Sequence, residues 1–160
     1  TRENVSAAEA QAFQHKVVKA EAAITASNLM ISDLQKKLEG YRTAIDRTSD
    51  RAVLEQQFAA IRAELFSLQE ALNGKQADDR KGAEPKTISS RVGFAKFSSS
   101  STYGPTPQSH EQLGYALEAF KEVRQRITVM LNETIPAFEK ALEDAGAPWV
   151  RGSTMLPEVD

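Results

Sequence analysis

Residues 6–46, SAAEAQAFQHKVVKAEAAITASNLMISDLQKKLEGYRTAID, decide the fold. Phe13, Val17, Ala20, Ile24, Ser27, Ile31, Leu34, Leu38, Tyr41 and Ile45 follow one another at alternating steps of four and three. That spacing puts them on one face of a helix packed along its length against others. Ser6 with Glu9 three residues on forms a capping box at the start. No proline interrupts the run, and Gly40 is its one weak point, where a bend is expected. The reading is a first helix over 6–46.

A short break at Arg47 to Asp50 separates this stripe from a second. Thr48, Ser49 and Asp50 can each cap a helix start. Leu54, Phe58, Ile61, Leu65, Leu68 and Leu72 repeat the four-three spacing, and Asn73-Gly74 supplies residues that tolerate the left-handed conformation closing a helix. The second helix is placed at 50–73, antiparallel to the first across a short link. Gly74 to Lys86, polar with two glycines and a proline, reads as a loop (74–86). Ile88, Val92 and Phe97 recover helix-like steps, which predicts a short helix at 87–97, pinned across the bundle end by Ile88, Val92, Phe94 and Phe97.

After a second loop at 98–106, Thr106-Pro107 opens the last helix with a cap and a proline at the first helical position, and Ser109 with Gln112 offers an alternative capping box. Leu113, Ala116, Leu117, Phe120, Val123, Ile127, Met130, Leu131, Ile135, Phe138 and Leu142 line its inner face. Pro136 removes one backbone donor inside this stripe. The apolar phase carries through it, so a kink within one helix over 107–145 is expected. Gly146 and Pro148 end that helix, and 149–160 reads as a loose tail. The fold class is all-α: one antiparallel bundle of three long helices plus a short cross helix, in a single domain over 1–160.

Composition narrows what such a bundle can do. The 160 residues carry 20 Lys and Arg against 22 Asp and Glu, a net charge of −2 that divides evenly between the two halves of the chain. This balance argues against a basic nucleic-acid face or an acidic tail. The absence of cysteine excludes disulfides, thiol catalysis and cysteine-based zinc sites. No apolar run approaches the ~18 residues of a membrane span. The two histidines, His15 and His110, stand far apart and form no H-E-x-x-H or E-x-x-H motif, and both read as surface residues. Glu118 with Glu122 and Glu139 with Glu143 share helix faces, the residue types of a glycosidase pair or a metal clamp. They fall between the apolar rows, where solvent is the expected neighbour, and Glu122 precedes Arg126 in the order that favours a surface ion pair. Asp78-Asp79 lacks calcium-loop spacing, Gly74-Lys75 lacks the rest of a phosphate loop, and the serines at 98–101 lack a base. The residues point to no enzyme, no metal and no cofactor.

One stretch is more specific. Ile88-Ser-Ser-Arg-Val92-Gly-Phe94, a serine-rich loop to Gly104-Pro105-Thr106, and Gln108 lead into a helix that passes through Ile135-Pro136-Ala-Phe138 and closes on Ala145-Gly146-Ala147-Pro148-Trp149. This run resembles the helical C-terminal domain of large bacterial proteins built on sortilin-like β-propeller repeats, often described as glycosyl-hydrolase-like. The resemblance spans roughly Ala8 to Trp149. It implies a periplasmic or secreted accessory domain, cut from a larger parent whose propeller carries any sugar chemistry. The propeller's repeat, Ser-x-Asp-x-Gly-x-x-Trp, does not occur here, and no catalytic residue of the family maps onto the chain. The expected partner is the propeller of the parent chain or another protein, with no nucleic acid and no membrane span, and the isolated domain is expected to be monomeric. The competing expectation is a free-standing scaffold or coiled-coil adaptor that dimerises through its heptad stripes. Phe94, Phe97, Tyr103 and Trp149, which fall off the regular stripes, are the candidate contact residues, set against a role as internal caps of the bundle.

Overall fold

The computed structural model describes residues 6–74, 87–101 and 104–147, and within them every regular element is helical. Helix α1 spans Ala7–Asp46, α2 Ala52–Asn73, α3 Ile88–Ser99, α4 Pro107–Val129 and α5 Ile135–Asp144, with a single π-helical turn, Met130–Thr134, between the last two. The all-α class read from the sequence is the class observed. The loop at 75–86 and the tail at 149–160 lie outside the described residues.

Each helix begins and ends where its local chemistry directs. Ser6 precedes α1, its hydroxyl accepting from the Glu9 amide at 3.2 Å. The expected start of α2 at 50 shifts to Ala52, because the first bond of its ladder runs from the Glu55 amide to the Arg51 carbonyl. Gly74 takes φ +86° and donates to the Glu70 carbonyl, the left-handed closure expected of Asn-Gly. α3 is capped by Thr87, whose hydroxyl accepts from the Ser90 amide while Ser90 accepts from the Thr87 amide. It runs two residues beyond the expected 97. Thr106 caps α4 through the same exchange with Ser109. α5 closes in a Schellman motif: Gly146 at φ +72° donates to Glu143, and Ala147 donates to Leu142. α1 continues unbroken through Gly40, which stands in open space.

The chain divides into two compact units. The first comprises Thr1–Asn28 and Gln69–Gln125, the second Leu29–Leu68 and Arg126–Asp160. In the first, Phe13, Val17, Ala20 and Ile24 of α1 form a core with Leu72, with Ile88, Val92 and Ala95 of α3, and with Leu113, Ala116 and Val123 of α4. Reciprocal amide bonds join Asn28 to Asn73, Lys96 meets Glu21 at 3.1 Å, and the Phe13 ring lies 4.6 Å from the His110 ring. In the second, Ile31, Leu34, Leu38, Tyr41 and Ile45 pack with Leu54, Phe58, Ile61, Leu65 and Leu68, and with Ile127, Met130, Ile135, Phe138 and Leu142. Arg42 there engages both Asp46 and Glu55 and lies 5.0 Å from the Phe58 ring centre. This bidentate contact holds the Glu55 carboxyl below its ordinary range.

Every residue of the first two expected stripes is buried, and the third needs correction. The expected helix over 107–145 does not run as one α-helix. At Met130–Thr134 the ladder widens by one residue, the Ile135 amide reaching back to the Met130 carbonyl. In an α-helix the Pro136 ring would press on the carbonyl of Asn132, and the widened turn sits at that place. The extra residue resets the phase. A regular helix continuing from Met130 would turn positions 134, 137, 138 and 141 inward; the observed inward set is Ile135, Phe138, Glu139 and Leu142. Leu131 and Leu117, both expected in the core, are exposed.

Candidate functional site

Helix α3 is fastened from one side. Ile88, Val92 and Ala95 fall on its inner face and are buried. Arg91 donates to the Gln112 side chain and lies 5.0 Å from the centre of the Tyr115 ring, and Lys96 reaches Glu21. At the far end the Ser98 hydroxyl contacts that of Ser109, which is fully buried and also bonds Thr106 at 2.8 Å. These contacts tie the end of α3 to the start of α4.

The opposite face of α3 carries two of the four candidate contact residues. Phe97 is 79% exposed and Phe94 45% exposed. They do not pin the helix inward, contrary to the expectation for this segment. The reason is the helical period: with Ile88, Val92 and Ala95 inward, positions 94 and 97 turn outward together, three residues apart. Tyr103 and Trp149 lie outside the described residues.

The carboxylate pairs separate into two cases. Glu118 stays at the surface, paired with Lys121 at 2.9 Å. Glu139 does not: expected to face solvent, it is buried in the second unit, where the Tyr41 hydroxyl donates to its Oε2 at 2.6 Å. The phase reset at the π turn brings it inward. Burial, and then the bond to Glu139, push the Tyr41 hydroxyl well above the ordinary phenol range. The Tyr41 ring also meets Phe138 edge-on at 5.2 Å. A glycosidase needs a second carboxyl facing the first across a substrate cleft. Glu143, the sequence partner of Glu139, is exposed.

Arg126 reaches Glu64 and Ser67 on α2, and this contact borders an apolar groove of about 350 Å³ that includes Ile61, Met130 and Phe138. A second groove, of about 290 Å³, opens in the first unit. His15 and His110 are both exposed. Among the described residues no group of three or more His, Asp or Glu side chains is placed to hold a metal ion, and no helix is long and apolar enough to cross a membrane.

Sequence reasoning marked Phe94 and Phe97 as lying off the stripes but missed the inward turn of Glu139. The sequence signal for it was the expected stripe itself, since Glu139 lies four residues after Ile135 and three before Leu142. Compared with known protein families, curated proteins and solved structures, the chain matches none.

Proposed function

We propose that this chain is a non-catalytic helical interaction module and that it meets its partner through the outward face of α3. The exposure of Phe97 and Phe94 on a helix otherwise tied down on its inner side carries this reading. Exposed aromatics on a rigid support are the side chains that most often anchor protein contacts, because little conformational freedom is lost when they are covered. The heptad stripes that a coiled-coil dimer would use are buried inside the chain's own two units, which favours this reading over a stripe-mediated adaptor.

The partner suggested by the resemblance is a β-propeller belonging to the same gene product, in a periplasmic or secreted protein. Two experiments test the proposal. The coding sequence adjoining this chain should contain repeated Ser-x-Asp-x-Gly-x-x-Trp boxes. The propeller portion, expressed separately, should bind this chain and lose affinity for the Phe94→Ser/Phe97→Ser variant. Adjoining sequence without such repeats removes the propeller as partner, and undiminished binding by the variant removes α3 as the contact.

A further inference from the structure

Of the asparagines Asn4, Asn28, Asn73 and Asn132, only Asn73 precedes a glycine. Asn73 is the last residue of α2 and is exposed, and Gly74 beyond it takes φ +86°. The Asn73 amide is also the point at which three helices of the first unit are tied together. Its Nδ2 donates to Oδ1 of Asn28 on α1 at 2.8 Å. Its Oδ1 accepts from the Ser89 hydroxyl on α3 at 3.1 Å and from Nδ2 of Asn28 at 3.4 Å. The Gly74 amide donates to the Glu70 carbonyl at 2.8 Å.

An asparagine followed by glycine can cyclise without an enzyme. The Gly74 nitrogen, once its proton has passed to solvent base, bonds to Cγ of Asn73; the Cγ–Nδ2 bond breaks, and ammonia leaves with a proton from solvent. Glycine permits this approach because no Cβ crowds the attacking nitrogen. Water then opens the cyclic imide. Cleavage at Cγ leaves aspartate, and cleavage at the backbone carbonyl leaves isoaspartate, with the main chain rerouted through the side chain. In the folded chain both reacting groups are held, the nitrogen by Glu70 and the amide by Asn28 and Ser89. Reaction therefore waits on fraying of the last turn of α2. The product cannot restore the junction. A carboxylate only accepts, so Oδ1 of Asn28 loses its donor. A negative charge also arises at a helix C-terminus, three residues from Glu70, where the helix dipole disfavours it.

We propose that Asn73-Gly74 is a self-modification site, that the Asn28–Asn73–Ser89 junction sets its rate, and that conversion undoes that junction. The proposal is independent of the outward face of α3. The full chain is kept in warm, mildly alkaline buffer, folded or in guanidinium chloride, and its peptides are mapped by mass spectrometry with aspartate and isoaspartate separated chromatographically. Residue 73 should convert with isoaspartate exceeding aspartate, and more slowly in the folded chain than in denaturant. Asn28→Ala should speed conversion of the folded chain about threefold or more and leave the rate in denaturant unchanged. Ser89→Ala, on a different helix, should act in the same direction, with helical content by circular dichroism unchanged in both variants. Asn73→Asp, which carries the product's charge on an unaltered backbone, should lower Tm by about 2–6 °C. Folded conversion as fast as in denaturant, or wild-type rates in both junction variants, overturns the junction as the control. Aspartate without isoaspartate overturns the cyclisation, and an unchanged Tm in Asn73→Asp overturns the structural consequence. A folded chain that never converts at residue 73 overturns the site itself.

Discussion

Replacing Tyr41 with Phe removes one oxygen and little else from the second unit, yet the structure makes that oxygen important. It donates to Oε2 of Glu139 at 2.6 Å, within the short range of hydroxyl–carboxylate bonds, and both residues are buried. A hydrogen bond to a charged group contributes about 1.5–3 kcal/mol, and its loss here leaves a desolvated carboxylate short of a donor. Tyr41→Phe should therefore lower stability by about 2–3 kcal/mol, or roughly 4–12 °C in Tm for a chain of this size. Glu139→Leu alone should cost about 1–3 kcal/mol by stranding the Tyr41 hydroxyl. The double variant presents two apolar groups to each other, so its loss should fall short of the sum of the singles by about 1 kcal/mol or more. Urea unfolding at neutral pH, followed at 222 nm, measures all three. The pH dependence has a definite sign. The folded-state pKa of Tyr41 is raised, so its contribution is complete below the unfolded phenol value near 10 and declines as pH rises beyond it. Wild type should lose stability above that pH more steeply than Tyr41→Phe. A Tyr41→Phe cost below about 0.5 kcal/mol, additive with Glu139→Leu, would place Glu139 in solvent and refute the phase reset at the π turn.

Leu65→Ala, at a site only 1% exposed in the middle of the α2 stripe, should cost about 2–5 kcal/mol in the same urea assay, and a loss under about 1 kcal/mol would contradict the assigned face. Gly40→Ala should stabilise the chain by about 0.5–1 kcal/mol, since Gly40 lies inside an unbroken helix with open space where a methyl would go; destabilisation would show that the helix needs glycine's freedom there.

The first two helices were legible because their apolar residues keep one period without interruption. From Phe13 to Ile45 and from Leu54 to Leu72 every stripe position is buried, since an α-helix of uniform pitch converts sequence spacing directly into a face. The last helix was legible only up to Met130. A step of four from Leu131 to Ile135 fits a regular helix, and nothing in that spacing reveals that the backbone inserts a π turn and makes the step five residues long from Met130. Pro136 signalled trouble without specifying its form: kink, termination and widened turn all relieve the same clash. Glu139 was misjudged for a different reason: it shares the helical face of Ile135, Phe138 and Leu142, but a carboxyl was expected to turn to solvent. The outward pair on α3 was half legible. Phe94 and Phe97 lie off the stripe defined by Ile88 and Val92, but aromatic residues in irregular segments often anchor them from within. The groove of the first unit was not legible at all, since its lining comes from α1, α3 and α4, which are far apart in sequence.

The reading of this chain as an interaction module is tested most directly by one comparison. The proposed partner, a propeller encoded beside this chain, is titrated with wild-type chain and with Phe94→Ser/Phe97→Ser, while the thermal stability of both chains is recorded. Because Phe97 is 79% exposed and Phe94 45% exposed, the account predicts Tm values within about 2 °C of each other, and a loss of affinity of tenfold or more, about 1.4 kcal/mol, for the variant. Equal affinity of the two chains, or a variant that loses stability while its binding is unchanged, would contradict the account and make these phenylalanines part of the fold.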